Sequence, residues 1–173
     1  MGLTWLMWAT RTGVCRSRSW AAVPFGVRLV NGKSPEAPRW RLLTPDNVHE
    51  LTERYQFGDG CVREVRRRQT YGSDAAAATA SVAIELIRNR PPRAWTGLHF
   101  ELSDVRDFRV VDINTESWVL FDDPLVVRDA AGRLHLAFDH AITSAIEPIT
   151  DMAERSHLYF SAREIRWAEM PLS

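Results

Sequence analysis

The side chains that could do acid–base or metal chemistry are histidines and closely spaced aspartates in the second half of the chain. They are His99, His135, His140 and His157, with the aspartate pairs Asp104/Asp107 and Asp122/Asp123. Two carboxylates can divide the roles of acid and base when burial raises the pKa of one of them. Both pairs lie beside expected turns, where aspartate side chains accept local hydrogen bonds. We therefore predict no catalytic residue.

A metal site is not predicted either, because the candidate ligands are too far apart. His135 and Asp139 share one face of an expected strand, but a rise of about 3.3 Å per residue separates them by about 13 Å. The two cysteines, Cys15 and Cys61, lack the short spacing of a zinc site or a disulfide framework. We expect two free, reduced thiols in a cytoplasmic protein.

The sequence contains no cofactor-binding motif. The segment Phe57-Gly58-Asp59-Gly60 is not followed by Gly-Lys-Ser/Thr, so it indicates a turn instead of a phosphate-binding loop. The chain also has no Gly-x-Ser-x-Gly segment of the kind that holds a hydrolase nucleophile. We therefore expect no cofactor.

Charge divides the chain into two parts. The whole sequence has 22 basic and 22 acidic residues, yet residues 1–33 contain five basic residues and no acidic one, which leaves residues 34–173 with a net charge of −5. We interpret residues 1–38 as a basic, tryptophan-rich and poorly ordered leader, either a targeting peptide or an overextended start, and residues 39–173 as one domain. The zero net charge and the lack of about 20 consecutive apolar residues argue against nucleic acid and membrane as partners.

Apolar spacing predicts one helix near the start of this domain. Between Thr44 and Tyr55, the residues Val48, Leu51 and Tyr55 fall on one helical stripe. Thr44 is expected to cap the free amide groups at the start of this amphipathic helix. Residues 141–153 are expected to form a turn or a broken helix.

From residue 61 onward, apolar residues alternate with polar ones, as is typical of strands with one buried face. Among the strands that this predicts are Ser81–Ile87, Thr96–Leu102, Phe108–Ile113, Ser117–Phe121, Leu125–Arg128 and Arg133–Asp139. The last two are joined by Asp129-Ala130-Ala131-Gly132, which predicts a hairpin. We predict a mainly β protein of the α+β kind, an antiparallel sheet or β-sandwich of seven to eight short strands with one N-terminal amphipathic helix.

Several segments together suggest a family resemblance. They are Phe57–Val65, Leu98–Phe100, Asp104–Phe108, Gly132–Asp139 and Ser161–Trp167. In these segments the chain resembles a loose class of small bacterial β-rich domains, some of which are similar to immunity proteins encoded beside polymorphic toxins. The resemblance covers about residues 55–168 and implies a protein partner. It implies no catalytic residues.

Two further features leave alternatives open. The tryptophans Trp95, Trp118 and Trp167 fall in expected strands, where they pack in a core or form an exposed platform for a sugar or a protein. The run Arg66–Arg68 puts two arginines on one face of a strand. Such a row could hold phosphate or the acidic surface of a partner, or it could protect an edge strand from unwanted pairing.

These patterns favour a non-enzymatic protein-binding domain, and the resemblance implies an immunity-type protein that neutralises a bacterial toxin. We expect the partner to contact Trp118, Asp122, Asp123, His135 and Asp139. The net charge of −5 suits a basic toxin surface.

The alternative function is that of a small enzyme or a carbohydrate-binding β-sandwich. A deep pocket joining a tryptophan, a buried carboxylate and a histidine would favour this alternative, whereas a flat, acidic, solvent-facing sheet would favour a protein partner.

Overall fold

A computed structural model describes residues 37–70, 78–111, 118–138 and 148–172, together with the backbone of residues 4–7. Most of the predicted leader, residues 1–38, lies outside the described residues. The same holds for Asp139, for His140 and for most of the predicted turn or broken helix at residues 141–153.

Within the described residues, ten strands and two helices follow one another along the chain. They are β1 (Thr4–Met7), β2 (Arg41–Leu42), α1 (His49–Arg54), β3 (Tyr55–Gln69), β4 (Ala78–Arg88), β5 (Trp95–Ser103), β6 (Asp107–Val110), β7 (Leu125–Arg128), β8 (Leu134–Phe138), α2 (Pro148–Arg155), β9 (Leu158–Ala162) and β10 (Glu164–Met170). The described part of the chain is therefore mainly β, as predicted.

The strands form two antiparallel sheets. The large sheet has the order β1-β3-β4-β5-β10-β2, and the small sheet has the order β6-β9-β8-β7. The described strands exceed the predicted seven to eight, and β3 and β4 are not short, with 15 and 11 residues. Strand β3 continues through the predicted interruption at Arg66–Arg68 because Arg66 and Arg68 point to solvent, while the Arg67 guanidinium lies 4.4 Å from the centroid of the Phe108 ring.

One apolar core lies between the two sheets. Side chains of both sheets belong to it, and Phe138 of the small sheet packs at centroid distances of 5.2 Å on Phe100 and 6.5 Å on Phe57 of the large sheet. All three rings are almost completely buried. This shared interior shows that the two sheets pack face to face as a sandwich.

The amphipathic helix predicted between Thr44 and Tyr55 is not confirmed. Helix α1 has six residues, and no side chain caps its start. Thr44 does not act as a cap. Its backbone N–H donates to the Asn47 side chain at 2.8 Å, and the Asn47 amide donates to the Leu42 carbonyl at 2.9 Å. This local turn replaces the expected first helical turn and leaves Leu51 to anchor α1 in the core.

Strand β3 contains a bulge where the sequence indicates a turn. Its pairing with β4 shifts between Gln56 and Cys61, and the segment after residue 117 pairs with the bulge through a hydrogen bond from the Leu120 N–H to the Gly60 carbonyl at 2.7 Å. A side chain at Gly60 would meet the Phe57 carbonyl oxygen at 2.8 Å, so this close approach requires glycine.

Cys61 is disulfide-bonded, so the expectation of a free thiol is wrong at this position.

The predicted hairpin joins β7 and β8. The Arg133 N–H donates to the Asp129 side chain at 2.8 Å, and Gly132 has a φ of 81°, which favours glycine. Leu134, Leu136 and Phe138 enter the shared core, so His135 and Ala137 lie on the opposite face of the small sheet.

A polar cluster links four strands of the large sheet. The Glu169 carboxylate accepts hydrogen bonds from the Thr96 hydroxyl at 2.7 Å and the Tyr55 hydroxyl at 3.1 Å, and it pairs with Arg88. Burial raises the pKa of Glu169, but these hydrogen bonds outweigh burial and hold the pKa below its ordinary value of 4.5. Burial and the Glu169 charge raise the pKa of Tyr55 to about 12.

We expect Glu169→Gln to lower the free energy of unfolding by about 1–2 kcal/mol at neutral pH, because the ion pair is lost and a third of the side chain is exposed. The folded-state pKa is depressed, so the contribution of Glu169 is present above pH 4.5 and is lost as the pH falls through the folded-state value. Urea titrations across this range should show the difference between wild type and variant shrinking in acid. A difference that grows in acid would contradict this assignment.

We expect Phe138→Ala to lower the free energy of unfolding by about 3–5 kcal/mol, because it removes the ring that joins both sheets. The matched control is Phe121→Ala, which removes the same side chain at a position that is 67% exposed. Thermal unfolding should show a large loss for the first variant and almost none for the second. Similar losses in both would argue against face-to-face packing of the sheets.

Candidate functional site

The two sheets differ in what covers their outer faces. Helix α2 packs on the outer face of the small sheet, where Met152 contacts Ala137 and Tyr159. On the outer face of the large sheet, the side chains at alternate positions of β4 and β5 are half-buried or exposed, including Ser81, His99 and Glu101. No described helix packs on this surface, which we call the open face.

A groove with a volume of about 360 Å³ runs across one half of the open face. The strand register places its lining side chains in two neighbouring rows. One row contains Arg66, Ser81, Glu101 and Arg166, and the next contains Arg68, Thr79 and Ser103. The floor is formed by small hydroxyl residues, so the space between the longer side chains stays open. We call this site the arginine groove.

Most of the charged groups in the arginine groove are paired with each other or with a neighbour. Arg66 donates from Nε to Glu64 at 2.5 Å, and Arg166 donates from Nη2 to Glu101 at 3.3 Å. Arg68 forms no ion pair with any residue that the structure describes. Three arginines and one glutamate line the arginine groove, but Glu64 and Glu164 pair with Arg66 and Arg166 from beside it, so its cationic part is the β3 side around Arg68.

The other half of the open face is more apolar. The Trp40 and His99 rings are 5.7 Å apart, and the Arg166 guanidinium lies 5.8 Å from the Trp40 centroid. Leu42, opposite Arg166 in the register, is 55% exposed. Burial lowers the pKa of His99, so its ring is neutral at physiological pH and adds no charge. The open face therefore offers an aromatic half beside the arginine groove.

The structure distributes the residues expected to contact a partner over different settings. Trp118 belongs to the core between the sheets and is only 9% exposed. Asp122 and Asp123 are exposed and follow Phe121, which is 67% exposed. The two aspartates are therefore accessible to a partner, whereas the tryptophan is not. Asp139 lies outside the described residues.

His135 lies on the face of the small sheet that α2 covers, and it is buried. Its Nδ1 is 2.8 Å from the Tyr159 hydroxyl, and its Nε2 is 3.2 Å from Asp129. Burial raises the pKa of Tyr159 to about 12, and the nearby Asp107 carboxylate adds to this effect. The backbone N–H of Arg133 lowers the pKa of Asp129. Both nitrogens of His135 thus have partners within the fold.

Sequence reasoning found only one side of the arginine groove. The neighbouring positions of Arg66 and Arg68 on one strand were recognisable from their spacing. Arg166 and the hydroxyl floor, however, come from other strands farther along the chain. The one available signal was that each is an outward position of an expected strand. Their meeting depends on strand order and register, which a single sequence does not specify.

Comparisons with known proteins find no matching family model, no similar curated protein and no similar solved structure. Among the residues that the structure describes, no group of three or more histidine, cysteine or acidic side chains is arranged to hold a metal ion. None of the described helices combines the length and the apolar character needed to span a membrane.

We expect Tyr159→Phe to lower the free energy of unfolding by about 1–3 kcal/mol, because it leaves a buried nitrogen of His135 without its partner. The double variant His135→Leu/Tyr159→Phe removes both groups and should cost less than the sum of the two single changes. Chemical denaturation of wild type, the two single variants and the double variant gives the coupling free energy between His135 and Tyr159 directly. Additive costs would show that the two side chains do not stabilise each other.

Proposed function

We propose that this chain is a non-enzymatic protein-binding domain that contacts its partner through the open face. The observation behind the proposal is the contrast between the two outer faces. The small sheet has its outer face packed under α2, whereas the large sheet presents a broad surface that no described helix covers. A sheet surface with an aromatic half and a charged half suits the mixed character of protein interfaces.

The shape of the open face supports a protein partner more than a small-molecule reaction. The arginine groove is a half-open space on a sheet, lined mostly by paired charges and by hydroxyls. The alternative function, a small enzyme or a carbohydrate-binding sandwich, would be favoured by a deep pocket that joins a tryptophan, a buried carboxylate and a histidine. Trp95 is 47% exposed, Trp118 and Trp167 are buried in the core, and no tryptophan or histidine that the structure describes lines the groove. These positions favour the binding function.

An immunity-type role is the finer form of the same proposal. In that role the open face would cover a surface of a toxin, as the family resemblance implies. The expectation of a basic partner followed from the net charge of −5. Charges beyond about 8–10 Å are screened at physiological salt, so the local charge of the arginine groove governs the contact made there. The partner surface that meets the β3 side of the groove, at Arg66 and Arg68, should therefore be acidic.

We expect the double variant Arg66→Glu/Arg166→Glu to weaken capture of the partner by about tenfold or more, because like charges would then oppose an acidic surface. The matched control is Arg90→Glu/Arg93→Glu, which makes the same change of charge in the exposed turn between β4 and β5. Each tagged protein is used to purify partners from native extract. The partner retained by wild type and control is then quantified by mass spectrometry.

Hydrogen exchange of the purified complex locates the contact. Stronger protection of β4 and β5 amides in the complex than in the free protein would support the proposal. Equal capture by both double variants, with protection confined to the small sheet, would overturn it. Because a disulfide such as that of Cys61 persists in oxidising compartments, extracts are prepared with and without reductant.

A further inference from the structure

The arginine groove has binding capacity that its own side chains do not use. Arg68 has no ion-pair partner among the described residues, and the hydroxyls of Thr79, Ser81 and Ser103 have no hydrogen-bond partner there. Arg66 uses its Nε for Glu64, which leaves its terminal nitrogens available. The volume of about 360 Å³ lies within the range of about 300–1,000 Å³ typical of ligand sites.

The available donors are concentrated on β3. Arg166 is engaged twice, by Glu101 at 3.3 Å and by Glu164 at 3.4 Å. Arg66 and Arg68, in contrast, present free donors at two successive outward positions of one strand. At about 3.3 Å per residue, these positions are about 6.6 Å apart. An anionic ligand should therefore interact with the β3 side and lie over the small residues of β4.

This spacing matches a particular ligand. An extended peptide also repeats its side chains on one side every two residues, at about 6.6 Å. We propose that the arginine groove binds an extended acidic segment of the partner protein, in which carboxylates at alternate residues pair with Arg66 and Arg68. The inference rests on the proposed function and deepens it, because it specifies which chemistry the partner presents to the open face.

The carboxylates around the groove favour a peptide over a nucleic acid. Glu64 and Glu164 flank the lining, and Glu101 is part of it. A nucleic acid carries a charge at every phosphate, so some of its phosphates would face these glutamates. A peptide can present carboxylates to Arg66 and Arg68 only and uncharged side chains to the glutamates, and so avoid that repulsion. Arginine also suits the ligand, since its planar donors match a carboxylate in a bidentate contact.

The test uses synthetic peptides, blocked at both ends, and the full chain. One peptide alternates Glu and Thr, and a second has the same composition in repeats of Glu-Glu-Thr-Thr, in which no two glutamates are two residues apart. A third alternates Lys and Thr, and an RNA oligonucleotide of similar length completes the set. Fluorescence anisotropy at low and at physiological ionic strength measures each affinity.

We expect the alternating Glu peptide to bind about tenfold more tightly than the Glu-Glu-Thr-Thr peptide, and Arg68→Ala to remove about tenfold of that affinity, because a charge-assisted hydrogen bond is lost. Arg90→Ala is the matched control and should bind like wild type. Arg68 is exposed, so the variant should unfold at the same temperature as wild type. Equal affinity for both Glu peptides, no effect of Arg68→Ala, or tighter binding of the RNA would overturn the inference.

The outcomes for the groove and for the open face can be separated. If the peptides do not bind but Arg66→Glu/Arg166→Glu still loses the captured partner, the acidic segment is wrong and the open face stands. If the peptides do not bind and the double variant also retains the partner, both the acidic segment and the proposed function are wrong. Competition between the alternating peptide and the captured partner would support both proposals.

Discussion

Burial of one face of each central strand is the constraint from which the rest of the structure follows. In β4 and β5, alternate residues such as Val82, Ile84 and Phe100 are removed from water by the small sheet, and each buried side chain of this size contributes about 1.5–3 kcal/mol. The period of two then fixes the positions between them on the opposite face. The open face is the necessary counterpart of the core, and a register shift of one residue would exchange the two.

The same constraint explains how much of the fold the sequence predicts. Alternation of apolar residues gives the β class, the antiparallel pairing and the hairpin that ends at Gly132 with little ambiguity. It fails where local chemistry competes with periodicity. The stripe of Val48, Leu51 and Tyr55 has helical spacing, but the Asn47 side chain satisfies the backbone in a turn, and the helix begins later. The glycines after Phe57 favour a turn, yet pairing with Leu120 keeps the chain in the sheet.

The candidate site was less predictable for a different reason. Its members share a face only because β3, β4, β5 and β10 lie side by side in that order. The sequence identifies outward positions on each strand, but it contains no information on which strand neighbours which. Residues selected by type alone, such as Trp118 and His135, turn out to be satisfied within the fold: one fills the core, and the other has partners on both ring nitrogens.

The polarity of the two outer faces accounts for why a described helix covers one of them and no described helix covers the other. Outward positions of the small sheet include Ala137, Tyr159 and Val127, an apolar set that would be costly to leave in water and that α2 shields through Met152. Outward positions of the large sheet are mostly hydroxyl and charged residues, and most of the charged ones form ion pairs, either across strands or within one strand. Such a surface is stable in water without a covering element. It can therefore remain accessible for recognition without a cost to the fold.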